Sequence, residues 1–399
     1  MKTNVAVLFG GKSTEHEVSV ISGIQAFCAL NTAKYNPLAI YITKNNEWYV
    51  GEKIGNIKAY TDLKALLADS TRVLPVPSGD GKVELLCYPF KKFGKSTVAQ
   101  FEVAIPVVHG TNVEDGTLMG YLEMLGIPYA SCDVTSSALG MDKAVMKDVL
   151  KRAGVPVLDA YTFMGSDYIA DSEAVVAHIE STIGYPVIVK PVNLGSSVGI
   201  SKADDRDALV RALDTAISYS PRVLAERAVG NLREINCAVL GDSEDAIASV
   251  CEEPLNATDI LTFEDKYMSG GKSGSKGGAK SAGMADLKRR CPAELPDGMT
   301  EQVQALAVQT FQALGCLGVS RIDFLNDKQT GELWVNEINT IPGSLAFYLW
   351  EAAGIPFAEL LDRMIALAFK RQRQREALTF SFETNLLAGA AAGLATGKK

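Results

Sequence analysis

Apolar residues in the first third of the chain fall into short unbroken runs separated by stretches with helical spacing. The run NVAVLF, residues 4–9, ends in Gly10-Gly11. An uninterrupted run of this length suits a strand covered on both faces of a parallel sheet, since a half-exposed strand would alternate. Residues 15–30 then take helical spacing, with Val18, Ile21 and Ile24 or Gln25 on the inner side. NPLAIYI (36–42) and VAIPVVHG (103–110) predict two more strands. EDGTLMGYLEMLGIPYA sets Leu118, Tyr121, Leu122 and Leu125 on one helical face. This strand–helix alternation predicts a doubly wound α/β sheet.

The pattern changes near Met141. MDKAVMKDVLKRAGVPV reads as a helix closed by Gly154 and Pro156. GYPVIVKPVNLGSSVGISK reads as strand, Gly/Ser turn and strand, and RVLAERAVGNLREINCAVLG as strand, loop and strand. A third unit holds GVSRIDFLNDKQTGELWVNEINTIPG and a closing helix over 355–370. SGGKSGSKGGAKSAG (269–283) carries nothing from which a core can be built and predicts a flexible loop. The last stretch, LLAGAAAGLATGKK, predicts a weakly ordered tail.

Composition narrows the function. The 399 residues exceed what one core holds, so two or three packed units are expected. The net charge of −8, without a long basic run, argues against nucleic acid or an anionic membrane as partner. No apolar stretch reaches the ~20 residues a membrane span needs. The seven cysteines are scattered, without a C-x-x-C pair. Together with a start that runs at once into a strand, this points to reduced thiols in the cytoplasm.

GGKS at 10–13 looks like the end of a phosphate-binding P-loop. That motif requires a glycine at position 6, where Ala6 stands, and a wrapping loop where Val7, Leu8 and Phe9 form a strand. What remains is a glycine turn at the carboxyl end of a first strand, the place where open α/β sheets bind ligands. Glu15 at the following helix start is either a dipole-stabilising acid or a ligand group.

The strongest chemical signal is a hairpin. With residue 330 as its centre, Arg321 faces Asn339 and Asp323 faces Glu337. Residues two apart share a sheet face, so these four cluster, with Ile322, Phe324, Val335 and Ile338 opposite and Asn336 interrupting the alternation. Two carboxylates and an amide oxygen are hard donors that suit Mg²⁺. Lys190 ends the apolar run PVIVK and is followed by Gly195-Ser196-Ser197-x-Gly199, whose backbone N–H groups can close on a phosphate. With Lys143, this suggests phosphoryl transfer.

Seven stretches together resemble the D-alanine–D-alanine ligases of the ATP-grasp superfamily: GGKSTEHEVSV, HGTNVEDGTLMGYLEMLGIPY, SALGMDKAVMK, VIVKPVNLGSSVGI, EDKYMS, SRIDF and VNEINTIPG, in the family's order from residue 10 to 343. The resemblance implies an α/β ATP-grasp fold. Its N-terminal doubly wound parallel-sheet domain (1–140) is followed by two α+β subdomains (141–224 and 225–399) that sandwich ATP, with a mobile loop at 268–285. It implies two D-alanines joined through a D-alanyl phosphate for peptidoglycan precursors, with ATP and two Mg²⁺ (or Mn²⁺) ions. Glu15 matches the acid that anchors the first D-alanine, hydrogen-bonded with Ser196 and Tyr267, and His109 a histidine near that substrate. Lys143, Lys190 and, from the closing loop, Lys266 match phosphate ligands, and Ser197 of the Gly/Ser turn is a further expected nucleotide-binding residue. Glu226 and Val229 match adenine contacts, and Glu234 a ribose contact. Asp323, Glu337 and Asn339 match metal ligands. Arg321 and the N–H of Gly343 match the oxyanion-stabilising pair. A homodimer through the first domain is also implied.

The chain departs from the family pattern in three places. Tyr348 and Leu349 stand where a serine and a leucine bind the second substrate's carboxylate. Leu194 replaces a glutamate before the serine loop. The 269–283 loop is longer and more basic. Tyr267 favours an amine as second nucleophile. The alternatives are a D-Ala-D-Ser ligase of the same fold and an ATP-binding regulator without ligase activity.

Overall fold

The computed structural model describes residues 2–195, 198–255 and 289–380, with 387 and 390. Ser196, Ser197, Lys266, Tyr267, the 268–285 loop and most of the Ala/Gly-rich end lie outside the described residues.

β1 (Thr3–Gly10) is buried from Val5 onward, as its unbroken apolar run requires. It lies between β2 (Tyr35–Ile42) and β7 (Val103–Pro106), parallel to both. β3 (Trp48–Val50), β4 (Thr71–Pro77), β5 (Val83–Cys87) and β6 (Thr97–Phe101) extend this sheet as an antiparallel meander, in the order β6-β5-β4-β3-β2-β1-β7. The strand–helix alternation does not foreshadow the meander, because β4, β5 and β6 follow one another without intervening helices and only the short helical segments Ile57–Asp62 and Leu63–Ala68 separate β3 from β4. β4 shows the one-sided pattern, with Val73 buried and Leu74 and Val76 exposed.

The helix His16–Ala29 buries Val18 and Ile24 as expected, but small residues take the rest of its inner face. Ser19, Ser22, Gly23, Ile24 and Ala26 are buried, whereas Ile21 and Gln25 are only partly covered. Close approach decides the face: a Cβ on Gly23 would sit 2.3 Å from Phe9 Cβ. The helix therefore turns its small residues toward the strand. In the helix Thr117–Met124, Met119 likewise takes the inward place expected for Tyr121, which stays exposed against the edge of Trp48.

A second sheet contains β8 (Ala160–Met164), β9 (Val187–Pro191), β10 (Ser201–Ala203) and β11 (Arg222–Arg227), antiparallel in the order β10-β9-β11-β8. The helices Ser172–Thr182 and Arg206–Tyr219 cover one face, burying Val176, Ile179, Leu209 and Leu213. A third sheet contains β12 (Leu232–Gly241), β13 (Ala246–Pro254), β14 (Arg289–Arg290), β15 (Gly318–Asp327) and β16 (Leu333–Asn339), in the order β14-β13-β12-β15-β16. The helix Met299–Ala313 packs Val303, Ala307 and Phe311 beneath it. The two strands of RVLAERAVGNLREINCAVLG therefore belong to different sheets, and residues 228–231 cross between them.

The helix Phe357–Glu376 returns to the first sheet, where Leu360, Leu361 and Met364 share a core with β1 and β7. None of the seven cysteines forms a disulfide, in line with the reduced state expected. Among the described residues, no helix is long and apolar enough to cross a membrane.

Candidate active site

The β15–β16 hairpin has the register its turn implies, pairing Arg321 with Asn339 and Asp323 with Glu337. Ile322, Phe324, Val335 and Ile338 are buried in the core on the other face. The register slips after Asp323, so Asn336 is the extra residue of a β-bulge. The bulge aims Asn336 away from the ladder, and its Oδ1 accepts a hydrogen bond from Lys190 Nζ at 2.9 Å. Arg321 donates from Nε and Nη2 to the two oxygens of Asp323 at 2.7 and 2.8 Å. Burial works against the Arg321 charge, and Asp323 outweighs it, holding the guanidinium firmly protonated.

The lysines converge on this face from the second sheet. Asp142 caps the helix Lys143–Arg152 and is fixed by Arg222, which places Lys143 on the first helical turn. Lys143 Nζ donates to Leu194 O at 2.7 Å and lies 3.2 Å from Glu337 Oε2. Adjacent residues of β16 thus each hold one lysine. Lys190 also pairs with Glu226 Oε1 at 2.5 Å, and Lys147 pairs with Glu226 Oε2 at 2.7 Å. Burial pushes the Glu226 carboxyl up, and the two ammonium groups overcome it and hold the carboxyl below its usual range. Burial pulls Lys147 down, and the Glu226 charge opposes it. Val229 lies in the 228–231 crossing. Glu234 on β12 shares the face of Asn236 two residues on.

Glu15 is the N-cap residue of its helix, yet its side chain makes no cap hydrogen bond. A Cβ on Gly110 would lie 2.8 Å from Glu15 Oε2, and one on Gly195 3.2 Å. The carboxylate therefore sits against the backbone of both loops, beside the Gly/Ser turn. This favours the ligand reading of Glu15 over the dipole reading.

His109 and Leu349 serve the scaffold with their side chains. His109 Nδ1 donates to Ile341 O at 2.9 Å, which leaves Nε2 to accept from Ser22 Oγ at 3.0 Å. Ser22 Oγ in turn accepts from Ser344 N at 2.9 Å. This relay needs a neutral imidazole, and burial lowers the His109 pKa to about 4. The Leu349 side chain lies wholly in the first core. After Gly343 the backbone makes an unusual turn, with φ of 53°, 53° and 49° at Ser344, Leu345 and Ala346.

Glu114, Lys147 and Glu252 were not among the residues expected. Glu114 accepts from Gly110 N and Ile341 N, both at 3.0 Å, tying the first domain to the loop that carries Gly343. Burial first, and the Glu15 charge second, raise its pKa from 4.5 to about 8. Between those pH values the folded state keeps a proton that the unfolded state has lost, so stability falls as pH rises through that window. Glu114→Gln should flatten this slope. Denaturant midpoints at pH 5 and pH 8.5 test it, and parallel profiles for variant and wild type would mean that Glu114 is ionised in the fold.

Asp323, Glu337 and Asn339 fit a divalent cation by their chemistry. Paired register positions put two carboxylates side by side on one face, with an amide two residues from Glu337. Asp323 accepts from Arg321 and, at 3.0 Å, from Asn339 Nδ2, and Glu337 lies beside Lys143. The described residues hold no cluster of three or more His, Cys, Asp or Glu that would compete as a metal site.

Lys190 from the second sheet and Lys143 from the helix Lys143–Arg152, both facing an acidic hairpin on the third sheet, define an ATP-grasp enzyme. Residues 4–132 match the family described as D-ala D-ala ligase N-terminus, and residues 149–366 the one described as D-ala D-ala ligase C-terminus. The chain belongs to the D-alanine–D-alanine ligase family. It is 38% identical over 380 residues to the D-alanine–D-alanine ligase of Acetivibrio thermocellus, covering 93% of this chain and 96% of the relative. It is 37% identical over 386 residues to that of Caldicellulosiruptor bescii, covering 96% and 99%. The fold is similar to that of the D-alanine–D-alanine ligase of Coxiella burnetii, with a TM-score of 0.76 at 28% identity over 94% of this chain and 96% of that one. It is also similar to the VanG D-Ala:D-Ser ligase of Enterococcus faecalis, with a TM-score of 0.73 at 31% identity over 92% and 100%.

Proposed function

We propose that this chain joins two D-alanines into D-alanyl-D-alanine at the expense of ATP, supplying peptidoglycan precursors in the cytoplasm. The observation that carries the reading is the convergence of Lys143, Lys190 and Arg321 on the Asp323–Glu337–Asn339 face, with Glu226 behind the lysines. The three units are 1–140, 141–224 and 225–399, and the first forms the homodimer interface.

The first step drives a carboxylate against a phosphate, so anion repulsion dominates its barrier. Lys143 and Lys190, with Lys266, pair with the phosphates. Two Mg²⁺ (or Mn²⁺) ions, when bound by Asp323, Glu337 and Asn339, neutralise phosphate charge. Glu226, paired with Lys190 and Lys147, and Val229 would border the adenine of bound ATP, and Glu234 would hold its ribose. Glu15, with Ser196 and Tyr267, anchors the first ammonium beside the Gly110 and Gly195 backbones. The deprotonated amine of the second D-alanine then attacks the acyl carbon of the D-alanyl phosphate, and the tetrahedral intermediate expels inorganic phosphate and loses the amine proton. Arg321 and Gly343 N–H stabilise the oxyanion, a contribution of roughly 3–4 kcal/mol for one well-placed donor. The acyl phosphate hydrolyses in water, so the site must exclude solvent while it persists.

Mass analysis of the products from ATP, Mg²⁺ and a mixture of D-amino acids tests this. D-alanyl-D-alanine with stoichiometric ADP is expected. A dominant D-Ala-D-Ser product, or ATP binding without ADP release, would overturn it.

A further inference from the structure

The polar strip of the third sheet does not end at the hairpin. Asp323 pairs in register with Asn236 of β12, and Asn236 with Glu252 of β13. In-register neighbours point to the same face, so Glu337, Asp323, Asn236 and Glu252 form one row across four strands. Glu252 is buried and fully engaged. It accepts from Asn236 Nδ2 at 3.0 Å, from Tyr348 Oη at 2.9 Å and from Arg289 Nη1 at 3.0 Å. The Arg289 guanidinium also stacks on the Tyr348 ring, 4.1 Å from its centroid. Glu252 and Tyr348 are near enough to act electrostatically on Arg321.

Tyr348 stands where the family resemblance puts a carboxylate-binding serine, but its phenol already donates to Glu252. The turn at 344–346 accounts for its position. Three successive non-glycine residues in the left-handed region are strained, and such strain persists only where the surroundings over-determine it. The turn lets the helix Phe347–Ala352 begin at once and lays Tyr348 over β13. A carboxylate arriving at this end of the strip must be met by another donor. Arg321 is committed to Asp323 and to the developing oxyanion. Arg289 is the next guanidinium on this face, held there by Glu252, and a guanidinium fork matches a carboxylate in charge and geometry.

We propose that Arg289, oriented by Glu252 and by the ring of Tyr348, receives the α-carboxylate of the second amino acid and so selects the acceptor. The inference rests on the ligase reading above and names the selectivity of its second subsite. Arg289 touches the substrate, whereas Glu252 and Tyr348 are positioning residues.

The test is competition between D-alanine and D-alaninamide for a common D-alanyl phosphate, with both products quantified by mass. The amide keeps the nucleophilic amine and lacks the carboxylate. Wild type should prefer D-alanine by on the order of 10- to 100-fold, the range of a charge-assisted pair. Arg289→Gln should bring that preference to within a few-fold and raise the second KM. The first step, read as hydroxylamine-trapped D-alanyl hydroxamate, should be unchanged. Arg289→Lys should restore part of the preference. A glutamine variant with wild-type preference, or one that slows both steps equally, overturns the proposal. If the glutamine variant does not fold, the lysine variant decides, since an unaltered second KM there counts against Arg289. Failure of the ligase reading itself appears earlier, as wild-type enzyme that makes no dipeptide.

Discussion

Glu337→Gln is expected to lower turnover by about 10³-fold while the protein stays folded. The substitution keeps shape and removes one negative charge from the row that faces the phosphates. Glu337 Oε2 lies 3.2 Å from Lys143 Nζ, and the side chain is 22% exposed. A partly solvated pair of this kind adds little stability, so thermal unfolding should move by no more than a few degrees. The catalytic loss is large because the same carboxylate must help neutralise charge concentrated in the nucleotide. ADP release at saturating ATP and D-alanine, repeated across a Mg²⁺ titration, gives the number. Wild-type turnover would remove Glu337 from the metal site.

Glu226→Gln should have the largest effect on stability. Its carboxylate neutralises Lys147 and Lys190, and all three side chains are almost wholly buried. Taking away the shared anion leaves two ammonium groups facing one another in a poorly solvated space, a change that typically costs about 3–5 kcal/mol. A fall in the urea midpoint at constant slope would register it. Adding Lys147→Met to the variant should recover part of the loss, because one unpaired charge is removed with it. The pH dependence has a definite sign. The folded pKa lies below 4.5, so the stabilisation is present above that pH and fades as pH falls through the folded value. An unchanged midpoint in the single variant would mean that the lysines find other partners.

Legibility followed the range of the interactions. The hairpin could be read residue by residue because a two-residue period and a short turn fix both register and face. Even the interruption at Asn336 was visible, and it became the bulge that receives Lys190. On the first helix Val18 and Ile24 were legible, but apolarity also pointed to Ile21, whereas contact with Phe9 selected Gly23 and the small residues beside it. Lys147 lies four residues after Lys143 and so had a faint helical signal. Glu114 stood inside a stretch that resembled the family. Glu252 had none, since CEEP reads only as a strand end.

The order of apolar runs and the spacing of charged residues by themselves determined the first parallel strands, the acidic hairpin and the lysine-bearing strand, because those features depend on neighbours a few positions apart. Only the folded chain decided that Glu226 serves two lysines, that Glu114 grips a loop more than 200 positions away, and that Tyr348 meets Glu252 and Arg289. Burial and ion pairing between distant segments depend on how three sheets pack, and no local period along the chain encodes that.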